Sequence, residues 1–194
     1  MRQTLQTDSR LSEEELVRRA SRGDTSAMRC LYETHIRYLT AVCSRYIADD
    51  DRVRDILQDS FTKILTSLGR FSYRGENSLR AWMTRIVVNE ALGFLRRQSK
   101  GRIVDLDERE MDLPEEESDD CLHDVPMDVI MKMIRQLPDG YRTVFNLYVF
   151  GDLSQNEISG MLGIEPKTVS SQFFRAKARL LKMIKDYKNV NSLL

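Results

Sequence analysis

An all-α fold, two small helical domains joined by an acidic flexible linker, is predicted for this 194-residue chain by three features. Apolar residues recur at three- and four-residue intervals through nearly every long segment. Runs with the strict alternation of strands are scarce. Charge is sorted along the chain although the totals balance, at 30 Lys+Arg against 30 Asp+Glu. Residues 26–100 carry 13 basic and 8 acidic side chains, residues 101–128 carry 2 and 12, and residues 129–194 carry 10 and 5. Two basic blocks thus flank a strap whose densest part reads "DLDEREMDLPEEESDD".

Residues 1–24 are read as an N-terminal tail or first helix. Their opening, "MRQTLQTDSRLSEEEL", lacks the apolar core of a signal peptide. No run approaches the ~18–20 apolar residues that span a bilayer. The expected location is the cytoplasm, without direct membrane insertion.

Residues 25–98 form the first predicted domain. "TSAMRCLYETHIRYLTAVCSRYI" places Met28, Leu31, Ile36, Leu39, Val42, Cys43 and Ile47 at helical spacing. "RVRDILQDSFTKILTSL" carries a continuous stripe through Val53, Ile56, Leu57, Phe61, Ile64, Leu65 and Leu68, with Gly69 as its stop. The loop "RFSYRGENS" leads into "LRAWMTRIVVNEALGFLRR", which is apolar over much of its circumference and ends in two arginines. It reads as a buried helix with an exposed basic end. Residues 99–126 form the linker, where Pro114 and mutually repelling carboxylates favour an extended chain.

Residues 127–187 form the second domain, before a tail at 188–194. "MDVIMKMIRQL" stops ahead of Pro138 and "GYRTVFNLYVF" stops at Gly151. In "LSQNEISGMLGIEPKTVSSQFFRAKARLLKMIKDY", Ser154 and Glu157 have capping-box spacing, Gly163 permits a tight turn, and Pro166 suits a first helical position. Helix, glycine turn, helix is the helix-turn-helix pattern. At ~100° per residue, Val169, Phe173, Ala176 and Leu180 share an inward arc. Lys167, Ser171, Phe174 and Lys182 lie opposite, with Arg175 beside them. The start of such a helix enters the major groove while its cations meet phosphates.

The first domain holds two further surfaces. Asp55, Gln58 and Asp59 lie off the apolar stripe, and Asp55 and Asp59 repel each other at i,i+4. A solvated face and a docking site for a basic partner both fit this pattern. Residues 73–97 mix Tyr73, Arg74, Trp82, Arg85, Asn89, Arg96 and Arg97. Rings that stack on unstacked bases and cations that hold the backbone suit single-stranded nucleic acid. Trp82 suits a core equally well.

Catalytic chemistry finds no foothold. Cys30, Cys43 and Cys121 have no CxxC spacing, and His35 and His123 are the only histidines. Gly-rich phosphate loops and nucleophile elbows are absent. No enzyme activity, catalytic residue, cofactor, metal or small-molecule substrate is therefore expected.

"DILQDSFTKIL", "YRGENSLRAWMTRIVVNEALGFLRR" and "LPDGYRTVFNLYVFGDLSQNEISGMLGIEPKTVSSQFFRAKARLL" resemble, in this order, the extracytoplasmic-function (ECF, group 4, sigma-70 family) RNA polymerase sigma factors of bacteria. The resemblance implies transcription initiation as the activity: the chain directs core RNA polymerase to promoter DNA and helps melt the −10 element. It implies that Asp55, Gln58 and Asp59, with Phe61 behind them, dock on clamp helices of the polymerase largest subunit, the beta subunit being a further partner. It implies that Tyr73, Arg74, Ser78, Trp82, Arg85, Asn89, Arg96 and Arg97 bind the −10 element, with the loop and Asn89 holding a flipped-out base. For the −35 duplex it implies Lys167, Thr168, Ser170, Ser171, Phe174, Arg175, Lys177 and Arg179. The strap would thread the basic polymerase channel. An anti-sigma factor, frequently membrane-bound in this family, is a further implied partner.

Two departures stand out. Gln172 and Phe174 occupy positions where many relatives are more basic, and the first ~24 residues match nothing specific. A stand-alone helix-turn-helix DNA-binding transcriptional regulator is the alternative reading. In the free chain the two domains are expected to pack through basic and acidic parts, occluding DNA.

Overall fold

The computed structural model describes residues 12–98 and 125–191. These residues form eight α-helices and a 3-10 turn, with no strand among them.

Helix α1 (Glu13–Ser21) begins where the Ser12 hydroxyl accepts the Glu15 N–H at 3.2 Å. Three glutamates fill its first turn and Arg18 and Arg19 its last, which suits the helix dipole at both ends. Leu16, Val17 and Ala20 are buried. Residues 13–21 therefore form a first helix that belongs to the body of the protein, one of the two readings left open for residues 1–24. Three apolar positions in nine residues are too few for periodicity to reveal. Residues 1–11 lie outside the described part.

Helix α2 (Thr25–Tyr46) is capped by the Asp24 carboxylate, which accepts from the Ser26 and Ala27 amides. Helix α3 (Asp50–Ser67) is capped likewise by Asp49 and closes through the 3-10 turn Leu68–Arg70. Helix α4 (Ser78–Gln98) packs against both. Leu31, Leu39, Ile64, Leu79, Met83 and Val87 are fully enclosed between these helices.

The second body consists of α5 (Met127–Arg135), α6 (Asp139–Val149), α7 (Gln155–Leu162) and α8 (Pro166–Asn191). Helix α8 thus runs on through residues 188–191, assigned from sequence to a tail. Helix α6 is buried on nearly every side, including Gly140, Arg142 and Asn146, because it lies between α8 and α2. At Gly151, just beyond α6, a Cβ would sit 2.5 Å from the Leu147 carbonyl oxygen, so only glycine allows this close turn.

The core shows how the bodies are joined. Val144, Leu147, Ile158 and Leu162 continue the apolar cluster of α1–α4, while Ile134, Leu137, Tyr141, Ala176 and Ile184 form a second cluster within the second body. The two bodies therefore meet mainly through apolar side chains, and the acid–base contact expected from sequence is limited to an Arg135–Asp50 ion pair at 2.6 Å among the described residues. The connecting residues 99–124, with the densest part of the strap, lie outside the described part, as do Cys121 and His123.

Candidate nucleic-acid interface

Exposed polar side chains gather on three surfaces, one on α3, one on α4 and one on α8. On α3, burial of Val53, Ile56, Leu57, Ser60, Phe61 and Ile64 turns Asp55, Gln58 and Asp59 outward, and all three are exposed. Arg52 lies 3.5 Å from Asp55, a solvated i,i+3 pair worth little. Phe61 is 5% exposed and its ring meets that of Tyr32 at 4.7 Å. Phe61 therefore braces the face from within and offers no surface to a partner.

The loop before α4 is pinned by Ser78. Its hydroxyl donates to the Gly75 carbonyl at 2.7 Å and accepts the Arg74 N–H at 3.2 Å. Gly75 (φ 101°) and Asn77 (φ 67°) take left-handed backbone between them, reversing the chain in three residues. Tyr73 stands half-buried on this loop. Desolvation, then Glu13, Glu14 and Glu76, push its phenol up, which places the acidic first turn of α1 beside the loop.

Along α4, Leu79, Met83, Val87, Ala91 and Leu95 face inward. Trp82 is half-buried, its ring 5.0 Å from Phe71, so it serves partly as core. Arg74, Arg85, Asn89, Arg96 and Arg97 are exposed. Arg80 lies over the Tyr38 ring at 5.1 Å, and Lys63 pairs with Glu90 at 2.6 Å. Arg85 and Asn89 open onto a crevice of about 460 Å³ between the bodies. Tyr38, Arg45 and Thr84 line it from the first body, and Leu147, Phe150 and Met161 from the second. Arg96 donates to the Met161 carbonyl at 3.2 Å.

The edge of this crevice is held by groups that sequence reasoning did not single out. Arg142, 3% exposed, donates through Nε to the Tyr46 carbonyl at 3.0 Å. Its Nη1 donates to Leu137 and Arg135 carbonyls at 2.9 and 3.0 Å, and Nη2 to Asp139. Burial lowers the pKa of this guanidinium and Asp139 opposes that shift. Asn146, fully buried, donates to the Arg45 carbonyl at 2.7 Å, and Arg135 reaches the Ala48 carbonyl and Asp50, each at 2.6 Å. A signal existed: Arg142 and Asn146 stand at i,i+4 within the largely apolar stretch "YRTVFNLYV".

The α7–α8 unit has the expected local chemistry. Ser154 and Glu157 form both halves of a capping box, and Gly163 ends α7 at φ 68°. Gln155 donates to the Pro166 carbonyl at 2.5 Å, fixing the start of α8 against α7. Val169, Ala176 and Leu180 are buried and Phe173 half-buried, stacked on Tyr148 at 4.4 Å. Lys167, Ser170, Ser171, Phe174, Lys177 and Arg179 are exposed, and Thr168 and Arg175 partly so. Gln172 is buried, so it lies on the opposite side from these groups.

No metal-binding cluster occurs among the described residues. Burial pushes the Cys43 thiol up to about 12, which keeps it protonated. No helix among the described residues is long and apolar enough to cross a membrane.

Comparison with known proteins matches both bodies. The family model "Sigma-70 region 2" covers residues 31–101, and "Sigma-70, region 4" covers residues 127–180. The RNA polymerase sigma-H factor of Pseudomonas aeruginosa is 28% identical, over 89% of this chain and 93% of its own length. The ECF RNA polymerase sigma-E factor of Haemophilus influenzae is 29% identical, over 86% of this chain and 92% of its own. This chain belongs to the extracytoplasmic-function sigma factors. A solved structure of the sigma factor RpoE with the anti-sigma factor NepR, from Bartonella quintana, is 18% identical with a TM-score of 0.48, covering 81% of this chain and 96% of that one. As a sigma factor the protein acts in transcription initiation with RNA polymerase and promoter DNA, and sigma factors are not catalysts. The stand-alone regulator is not favoured, since it gives the region 2 body no role.

Proposed function

We propose a division of labour among the three surfaces of this sigma factor. Asp55, Gln58 and Asp59 dock on clamp helices of the polymerase largest subunit. The loop at residues 73–78 and the exposed side of α4 melt and read the −10 element. The start of α8 reads the −35 duplex, with Lys167, Lys177 and Arg179 on phosphates and Ser171, Phe174 and Arg175 toward base edges. Residues 25–98 and 127–187 form the two working domains, with residues 99–126 as the tether between them.

The observation that carries this reading is the coexistence, on one chain, of an outward acidic face and two cationic faces of different chemistry. The α8 face combines a basic helix start with hydroxyls, as duplex readers do. The α4 face mixes Arg85, Asn89 and a half-buried tryptophan beside a pinned loop, which suits bases taken out of the stack. Extruding a base costs a few kcal/mol. A pocket formed by the loop and Asn89 offsets that cost, so opening and recognition become one event.

The acidic strap matches in charge a polymerase channel built for nucleic acid, and it avoids DNA held by the basic domains. An anti-sigma factor is part of the same proposal, as are work in the cytoplasm and retention near a membrane by such a partner. The deciding experiment reconstitutes the full chain with core polymerase on promoters selected from a random library. Transcription from a promoter that core enzyme ignores is the expected result. Loss of polymerase binding in Asp55→Ala/Asp59→Ala, with an unchanged melting curve, is expected alongside. Wild-type affinity in that variant overturns the docking assignment.

A further inference from the structure

Beside the start of α8 lies an apolar slot walled by Tyr148 and Phe174, and we propose that it takes the 5-methyl group of a thymine in the −35 duplex. Tyr148, which stands on α6 outside the helix-turn-helix unit, thereby becomes a determinant of promoter choice. The inference rests on the assignment of α8 to the −35 element and names what one part of that surface reads.

The slot has a volume of about 330 Å³. Ser170, Phe174 and Lys177 line it from α8, and their spacing of four and three residues puts them on one flank of that helix. Tyr148 lines it from the end of α6, over a floor of buried Val169 and half-buried Phe173. Tyr148 and Phe174 are 44% and 48% exposed. Large rings gathered at one exposed place mark a site where something apolar lands. Phe174 and Lys177 already belong to the proposed −35 face, so the slot continues that face onto α6.

The slot is set before DNA arrives. The Tyr148 ring stacks on Phe173 at 4.4 Å, and Phe173 stacks on Phe145 at 6.0 Å. The hydrogen bond from Gln155 to the Pro166 carbonyl holds the start of α8 in place beside them. A ring fixed in such a stack has little freedom left to lose on contact, so binding there costs little ordering.

Chemistry selects the occupant. A helix in the major groove meets phosphates and base edges. The edges present hydrogen-bonding atoms and a single kind of apolar group, the C5-methyl of thymine. A phosphate is a poor guest, because Lys177 is the one cation in the lining and the floor is hydrocarbon. A methyl group suits both rings, and the Lys177 charge then serves the adjoining phosphate.

The test reconstitutes holoenzyme from the full-length chain and core polymerase and selects its −35 element from a random duplex library. Each thymine of that element, on either strand, is then replaced in turn by deoxyuridine, which lacks only the methyl group. At one position affinity should fall about fourfold, the worth of one buried methyl. In Tyr148→Ala the thymine and deoxyuridine duplexes should bind alike at that position, whereas Tyr148→Phe, which keeps the ring, should retain the difference. The scan itself uses the unmodified protein, so it decides the matter even where Tyr148→Ala does not fold. A merely structural role for Tyr148 would weaken both duplexes equally and leave the difference intact, which overturns the slot. A selected element without a fixed A·T pair overturns it too, as does a scan that costs nothing at any position while scrambling the element still weakens binding. A scrambled element bound as tightly as the selected one instead overturns the α8 assignment, and the slot with it.

Discussion

The α4 and α8 surfaces are both cationic, yet the fold treats them differently. The start of α8 projects Lys167, Ser171, Phe174 and Lys177 into solvent, with its core side turned onto α6 and α7. The α4 face opens onto a crevice whose far wall is the second body, and Arg96 is tied to that wall. A duplex reader needs only a protruding helix, which one small body can support. A surface for unstacked bases exposes rings and unsatisfied polar groups, and covering it limits the cost of keeping it ready in the free protein. The first body is therefore not independent of the second, although each has its own helices.

The largest expected effect tests that dependence. Leu147→Ala removes a fully buried side chain from the shared cluster, and a loss of about 2–5 kcal/mol is expected in urea unfolding. Phe174→Ala, on a side chain 48% exposed at the other surface, should stay within about 0.5 kcal/mol. Equal losses at both sites would erase the contrast.

Gly163→Ala comes next. At φ 68° an alanine is disfavoured by about 1–2 kcal/mol. The turn that aims α8 should be weakened, so promoter binding by holoenzyme should fall more than oligonucleotide binding to the α4 face. A smaller effect is expected for Lys167→Ala with Lys177→Ala. Affinity for a −35 duplex should drop across sequences, and the slope of log K against log salt should shrink by about 2. An unchanged slope would remove these lysines from the phosphate contacts.

The mildest prediction concerns pH. Burial, then the charge of Arg80, holds the His35 imidazole below its ordinary value of 6.5. The unfolded chain takes up a proton there that the folded chain refuses, so stability should decline as pH falls below about 6.5. His35→Leu should flatten the urea midpoint between pH 7.5 and 5.5. A slope as steep as that of the wild type would show that other groups govern this range.

Much of the local architecture was legible in the residues. Ser154, Glu157, Gly163 and Pro166 announce the α7–α8 turn because capping and left-handed backbone are short-range demands that few residue types meet. The stripe from Val53 to Ile64 likewise shows which side of α3 is free, leaving Asp55, Gln58 and Asp59 exposed. Helix α1 stayed open between tail and helix because its three buried residues complete no period of their own. Phe61 fits the apolar stripe, and its burial against Tyr32 keeps it from being a contact surface.

Amino-acid order alone was enough for the helices, their caps, the sorting of charge and the family, since each depends on neighbours within a turn or two or on a motif read in line. What only the assembled chain could decide was the pairing of distant groups. Arg142 and Asn146 read as polar interruptions of a helix until the last carbonyls of α2, some hundred residues earlier, come within hydrogen-bonding reach. Burial of a cation is tolerable only where such partners converge, and convergence belongs to three dimensions.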